Sequence, residues 1–556
     1  MNGTAAAASA ALADIPRLLA SLPPRISDIA TLHAARAPDR AALQDGDRAF
    51  TYGDLAAACA AAAEDLAAAG VRGGDRVLVV SENCAALPVL LFAVARLDAW
   101  SVVVNARLSA REIDAIRDHC APRLSVYTAE ASPEAAAHAA RHRGARPWPL
   151  AQMGAVLRGP CNAACSPEPV SEDPARQVAT LVYTTGTTGD PKGVMLTHRN
   201  LLFIASVSSA LRRLGPGDRV YGVLPIAHVY GLASVCLGTL FAGACLQLEA
   251  RYSPQGMLHA LTQDGITVAQ GVPTMFARLI ELIKSRGEPF SAPRLRFLYA
   301  GGAPLAPSLK ADVERVFGLT LHNGYGLTES SPTVTQTRLD APRRDTSIGH
   351  AIPGVELRIV DAAGCDVATG EPGELWVRGP NVMRGYYRNP ELTAEAVDAC
   401  AWLHTGDLAR RDADGALFIV GRIKEIIIRS GFNVYPAELE SVLNAHPAVL
   451  QSAVVGRAVA DNEEIVAFVE LAPAGTATPA DLAQFAAARL SPYKRPAEIV
   501  ILPALPASAT GKILKNRLRA LAIADHGQLM QGGKVALSQP AAGVDLEQLH
   551  RLHFAR

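Results

Sequence analysis

Tyr183 to Val194 reads YTTGTTGDPKGV, and residues of these types in this order could hold the phosphates of a nucleotide. The glycines let the backbone approach an anion closely. Thr184, Thr185, Thr187 and Thr188 offer hydroxyl donors, and Lys192 supplies positive charge. An apolar strand, Ala179 to Tyr183, leads into the loop. It is not a Walker A loop. Counting from Gly186, Pro191 takes the place of the second glycine, and Gly193 stands where the Ser or Thr should be. Read on its own, the stretch also fits a plain flexible turn. Two other places carry reactive types. Asp407 follows Thr405-Gly406 in a tight turn, where a carboxylate could accept hydrogen bonds from a diol, although Gly-Asp turns are common on surfaces. Lys512 lies on a Gly-containing loop, where a lysine is ordinarily solvated. Cys161 and Cys165 are close, but no second ligand pair accompanies them, so plain thiols are the better reading.

The elements that must position these residues alternate from the start. Thr51 can cap a helix, with Asp54 three residues on, and Leu55, Cys59, Ala62 and Leu66 keep helical spacing until Gly70. Arg76 to Val80 reads as a buried strand, and a second apolar stretch ends in Ser101 to Val104. This alternation predicts layered α/β architecture with largely parallel sheets. From Gly349 to Val377 apolar and polar residues alternate between Gly/Pro turns, the pattern of antiparallel strands. After Gly421 the texture changes again. Ile426 to Ile428 is a short strand, Ser430-Gly431-Phe432 a turn, and Pro436 opens a helix with Leu439, Val442 and Leu443 as its buried stripe. Strands at Ala453–Val455 and Ile465–Val469 follow, then a helix capped by Thr478 and Asp481. A separate α+β domain is therefore expected to begin near Gly421. Beyond about Ala520 the chain is weakly patterned and reads as a tail.

The signature loop resembles that of the adenylate-forming superfamily, which includes acyl-CoA synthetases, amino-acid adenylation domains and firefly-type luciferases. Further segments in the same order resemble its other motifs: Leu224 to Gly231, Tyr299 to Pro304, Asn323 to Glu329, Trp402 to Leu408, Gly421 to Glu425 and Pro506 to Lys512. The resemblance runs from about residue 27 to about 520. It implies an N-terminal extension (1–26), an AMP-binding domain of layered α/β subdomains plus a small distorted β-barrel (27–421), a small mobile α+β C-terminal domain (422–520) and a tail (521–556). It implies the chemistry as well. A carboxylate is a poor acyl donor, and joining it to AMP creates a group that a thiol displaces. Both reactants of the first step are anionic, so catalysis is mainly positioning and charge neutralisation.

By that resemblance ATP lies against Thr184, Thr185, Gly186, Thr187, Thr188 and Lys192, against Gly301, Gly302 and Ala303, and against Asn323, Gly324, Tyr325 and Gly326. Tyr325 faces the adenine and Thr328 the α-phosphate, and Glu329 helps hold Mg²⁺. Asp407 takes the ribose hydroxyls, with Arg422 and Asn433 contributing nearby. Lys512 bridges carboxylate and α-phosphate. Lys424 is the hinge about which the small domain swings, and Ser430 and Gly431 give the thiol of coenzyme A room to pass. His228 adjoins the reacting carboxylate, although a core histidine is the plain alternative. Tyr230, Ser234 and Val272 line an acyl pocket that admits a fatty or an aromatic acid. No acid stands near His228 to pair a substrate ammonium, which argues against an amino acid.

An acid:coenzyme A ligase is the expected activity. An enzyme loading a separate carrier protein is the alternative, a luciferase-like oxidase a remote one, and a non-catalytic nucleotide-binding regulator the reading of another class. The last would be expected to have lost Lys512 or Glu329. Lys+Arg and Asp+Glu balance at 53 each, which argues against a nucleic-acid partner. The apolar run from Leu87 is broken by Arg96 and Asp98, short of the ~20 residues a membrane span needs. Nine scattered cysteines without a CxxC suit a reducing, cytoplasmic compartment. The resemblance admits a homodimer.

Overall fold

The computed structural model describes residues 12–150, 153–185, 191–287, 289–459, 462–473, 475–507 and 512–523. It divides into two compact units, one of Met1–Ile423 with Ala509–Lys512, the other of Lys424–Ser508 and Ile513–Arg556. The division falls just after the position expected from sequence. The strand Leu417–Arg422 pairs with Leu403–Arg411 and places Arg422 opposite Asp407, which keeps Arg422 in the first unit.

The first unit is built on two large sheets. One has eight strands, with Arg76–Ser81, Trp100–Asn105, Leu124–Tyr127 and Val178–Thr185 parallel at its centre. The other has nine, and Ala41–Asp45, Cys245–Leu248, Arg219–Gly222, Val268–Gly271, Phe297–Ala300 and Leu321–Gly326 run parallel. The stretch read as antiparallel strands belongs to an antiparallel sheet of four strands from Glu356 to Arg422. Local signals set the helices between. Thr51 Oγ1 accepts from Asp54 N at 3.1 Å while the Asp54 carboxylate accepts from Thr51 N at 2.9 Å, and this reciprocal cap starts the helix Tyr52–Ala68. Such a cap stabilises a helix by about 1 kcal/mol. The apolar run from Leu87 is the helix Ala86–Arg96, buried on every side between strands. Among the described residues no helix is long and apolar enough to cross a membrane. The described part of the N-terminal extension is not separate. It forms the helix Ile15–Ser21, and Leu18 and Ile26 join the core of the first unit.

The second unit has a three-stranded sheet, Val449–Val459 antiparallel to Asn462–Leu471 and that strand parallel to Glu498–Leu502. Leu439 and Leu443 of the helix Pro436–Asn444 and Leu482 of Pro479–Ala487 bury against one face of it. The helix Lys515–Ile523 buries Leu518 and Ala522 against the other, so the regular structure runs past the point where a tail was expected.

Candidate active site

The strand Val178–Thr185 returns as Pro191–Thr197 in an antiparallel pair, with Thr184 opposite Lys192 and Thr185 opposite Pro191. The expected phosphate loop thus begins and ends on the two paired strands of a hairpin, at the end where they are joined. Gly186, Thr187 and Thr188 lie outside the described residues, as does the side chain of Thr185. Lys192 Nζ is 5.9 Å from the centre of the Tyr386 ring, the outer limit of a cation–π contact. The strand Gly385–Tyr386 pairs with the returning strand, and the Tyr386 hydroxyl donates to Glu329 Oε1 at 2.8 Å. Burial, and then the Glu329 carboxylate, hold the Tyr386 phenol well above its ordinary range, so it remains a donor. Lys192 and Glu329, far apart in sequence, are joined through Tyr386. Sequence reading missed Tyr386 because a tyrosine in a two-residue strand has the look of an ordinary core aromatic.

Asn323 to Glu329 span the end of the strand Leu321–Gly326 and the 3₁₀ turn Thr328–Ser330. Gly324 is required there, because a Cβ would stand 2.0 Å from the Tyr299 hydroxyl and 2.6 Å from the Thr335 carbonyl. Asn323 is 4% exposed and its amide donates to the carbonyls of Thr346 and Ser347 at 3.1 Å. It therefore braces the strand. The Tyr325 hydroxyl donates to Asp407 Oδ2 at 2.5 Å, and Arg422 Nε lies 2.7 Å from Asp407 Oδ1. Asp407 is 2% exposed, and its backbone N–H donates to Thr405 Oγ1 at 3.1 Å. A carboxylate fixed by two donors still has lone pairs for a vicinal diol. Burial, and then Asp407, raise the Tyr325 phenol well above its usual range.

His228 sits on the loop after Gly222. Asn83 clamps that loop, donating to the carbonyls of Gly222 and Leu224 and accepting from Ile226 N, each at 2.9 Å. His228 Nδ1 accepts from Tyr230 N at 3.3 Å, which leaves the ring proton on Nε2 as a donor. Burial, and then the charge of Lys512, push the imidazole down to about 4, so it is neutral at physiological pH. Lys512 itself is exposed and grouped with the first unit. Tyr230 opens the π-helix Tyr230–Leu237 and packs edge-on to Tyr299, ring centres 6.2 Å apart. A Cβ on Gly301 would stand 3.5 Å from Tyr230, and one on Gly302 3.6 Å from Val272, so these four residues adjoin, with part-buried Ala303 next in the chain. Ser234 is fully buried with its Oγ 3.2 Å from Thr333 Oγ1, a pairing within the core.

The other expected residues lie in the second unit. Lys424 is in the turn Ile423–Glu425, and Ser430 and Gly431 form the turn of the hairpin Ile427–Arg429/Phe432–Val434. Exposed Asn433 pairs with Ile428 across that hairpin.

Glu329 suits a hard dication. Its Oε1 is oriented by Tyr386. Among the described residues no cluster of three or more His, Cys, Asp or Glu could hold a metal. A dication at Glu329 would then complete its shell with phosphate oxygens and water, which is how Mg²⁺ is commonly held beside a nucleotide.

Residues 31–387 match the AMP-binding enzyme family and residues 438–512 the AMP-binding enzyme C-terminal domain. A feruloyl-CoA synthase of Amycolatopsis sp is 35% identical over 494 residues, covering 87% of this chain and 96% of that protein. The crystal structures of a benzoate CoA ligase from Burkholderia xenovorans LB400 give a TM-score of 0.77 at 26% identity, covering 89% of this chain and 99% of that one. The o-succinylbenzoate coenzyme A synthetase of Bacillus subtilis, solved in complex with ATP and magnesium ion, gives 0.74 at 28% identity, covering 88% and 99%.

Proposed function

The chain belongs to the AMP-binding enzyme family, and from that premise we propose a course of reaction and a class of acid for it. It is an AMP-forming acid–thiol ligase that uses ATP, Mg²⁺ and coenzyme A. A carboxylate oxygen of the acid attacks the α-phosphorus of ATP as the bond to pyrophosphate breaks. The thiol sulfur of coenzyme A then attacks the acyl carbon, its proton passes to solvent, and AMP leaves.

Each residue has one task in this course. Lys192 and the threonines of its loop hold the phosphates, and Thr328 contacts the α-phosphate. Glu329, oriented by Tyr386, holds magnesium, which when bound neutralises phosphate charge. Asp407, held by Tyr325 and Arg422, accepts from the ribose, and Asn433 adds a contact to the nucleotide. His228, neutral, presents Nε2–H to the carboxylate. Lys512 bridges the two anions as they meet. Lys424 turns the second unit between the half-reactions, and the Ser430-Gly431 turn admits the thiol.

Asp407→Asn should raise the KM for ATP about 10- to 100-fold, the range for losing hydrogen bonds to a charged partner, with a smaller change in kcat. ATP titration of acid-dependent pyrophosphate exchange measures this. An unchanged KM would remove Asp407 from the ribose.

The acid is aromatic. One observation carries this: Tyr230 stands edge-on to Tyr299 beside Gly301, Gly302 and Val272, and aromatic edges next to glycines that add no side chain suit a planar ring. The likeness to proteins named for feruloyl and benzoate substrates supports the same class. A panel of acids assayed for AMP release should favour arylalkenoic and benzoic acids over straight-chain fatty acids by about tenfold or more in kcat/KM. Faster turnover of a straight-chain acid would overturn the aromatic class.

A further inference from the structure

We infer that Lys515 is a positioning residue for adenylate formation, holding the root of the segment that carries Lys512 to the turn that contains Lys424. This deepens the role proposed for Lys512 and rests on it. Lys515 opens the helix Lys515–Ile523. Its Nζ lies 2.8 Å from Glu425 Oε2 and 2.9 Å from Glu440 Oε1, with side-chain exposures of 19%, 24% and 12%. Glu425 closes the turn Ile423–Glu425, so this contact reaches the residue next to Lys424. Glu440 belongs to the helix Pro436–Asn444, and its Oε1 also accepts from Val454 N at 2.8 Å, which ties the cluster to the central sheet of the second unit.

The root of the lysine segment is drawn closed as well. Ala507 and Ile513 form an antiparallel bridge, and Leu514 N donates to the Pro506 carbonyl at 2.8 Å. Leu518 and Ala522 then bury against Ala453, Val455 and Phe468. That apolar contact alone would dock the helix. Taking three charges partly out of water opposes folding, and an apolar pin would hold the helix at lower cost. What the ammonium adds is register: it can satisfy both carboxylates only when the helix start, the turn at Lys424 and the helix Pro436–Asn444 are in one arrangement. The root of the lysine segment, from Ile513 on, and the hinge turn then move as one body.

The test compares half-reactions in the full-length protein. Lys515→Met removes the pin. Glu425→Gln removes the charge that ties Lys515 to the turn and leaves Lys515 paired one-to-one with Glu440, so the fold stands. Each should lower kcat of acid-dependent pyrophosphate exchange about tenfold, as expected when a reacting group is misplaced by less than 1 Å. The KM for ATP and thioester formation from supplied acyl-adenylate should stay within about twofold, and Lys515→Arg should restore most of the exchange. In a Lys512→Ala background, Lys515→Met should add no further loss. Normal exchange in a folded Glu425→Gln protein would overturn the inference. So would equal loss in both half-reactions that adds to the loss from Lys512→Ala. If Lys512→Ala alone leaves exchange intact, the reading of Lys512 falls and takes this inference with it, and that outcome is recognised without any Lys515 variant.

Discussion

Lys512→Ala should lower acid-dependent pyrophosphate exchange by about 10²–10³, while coenzyme A thioester formation from supplied acyl-adenylate falls less than about fivefold. The asymmetry follows from charge. In the first half-reaction a carboxylate meets a phosphate, and negative charge grows on oxygens that belong to both. A cation between them is worth more in that transition state than in the ground state, which is the condition for raising kcat. In the second half-reaction a neutral acyl carbon accepts a thiol and AMP departs with charge already present, so the same lysine has less to do. The structure places Lys512 with the first unit, although Ile513 onward belongs to the second. Its charge adds to burial in depressing the His228 imidazole to about 4. Lys512→Arg should recover only part of the loss, because a planar fork does not replace a compact point charge. Equal losses in the two half-reactions would remove Lys512 from the adenylation step.

The fold was legible where local chemistry and chain position coincide. Thr51 and Asp54 announce a helix start by type and spacing, and the structure has that cap. Asp407 and Arg422, each of which alone reads as a surface-turn residue, lie in neighbouring antiparallel strands, and pairing brings them opposite one another. Contacts that depend on long-range closure were not legible. Tyr386 reaches Glu329 across 57 residues, and Asn83 reaches the His228 loop across 139 to 143. Nothing near either residue in sequence hints at the partner. Asn323 was expected at the nucleotide, but its amide is bonded to the Thr346 and Ser347 carbonyls, a use that only the folded return of the chain creates. The π-helix Tyr230–Leu237 was invisible for another reason. Every residue in it is buried, so no polar face marks a period and its winding cannot be told from that of an α-helix. The helix Lys515–Ile523 went unread because its buried stripe is only Leu518 and Ala522.

Gly431→Leu should slow thioester formation by about 100-fold or more, with adenylate formation changed less than about threefold. The turn joins Ile427–Arg429 to Phe432–Val434, and both of its residues have positive φ, +51° at Ser430 and +81° at Gly431. That is the conformation of a tight hairpin turn of the primed type, which favours glycine at the second position. A side chain at Gly431 costs roughly 1–2 kcal/mol in backbone strain. It meets no atom within 4 Å, so packing imposes nothing further. The hairpin is braced elsewhere. Ser430 N donates to Asn462 Oδ1 at 2.7 Å, and Phe432 stacks on Tyr493 with ring centres 4.6 Å apart. The variant should therefore fold, and a selective loss in the second half-reaction reports space that the thiol needs. Gly431→Ala separates space from strain, because it carries the same backbone cost without the bulk. Alanine should retain most of the thioester rate. If alanine and leucine lose it equally, backbone conformation is what the turn contributes, and if neither loses it, coenzyme A does not pass this turn.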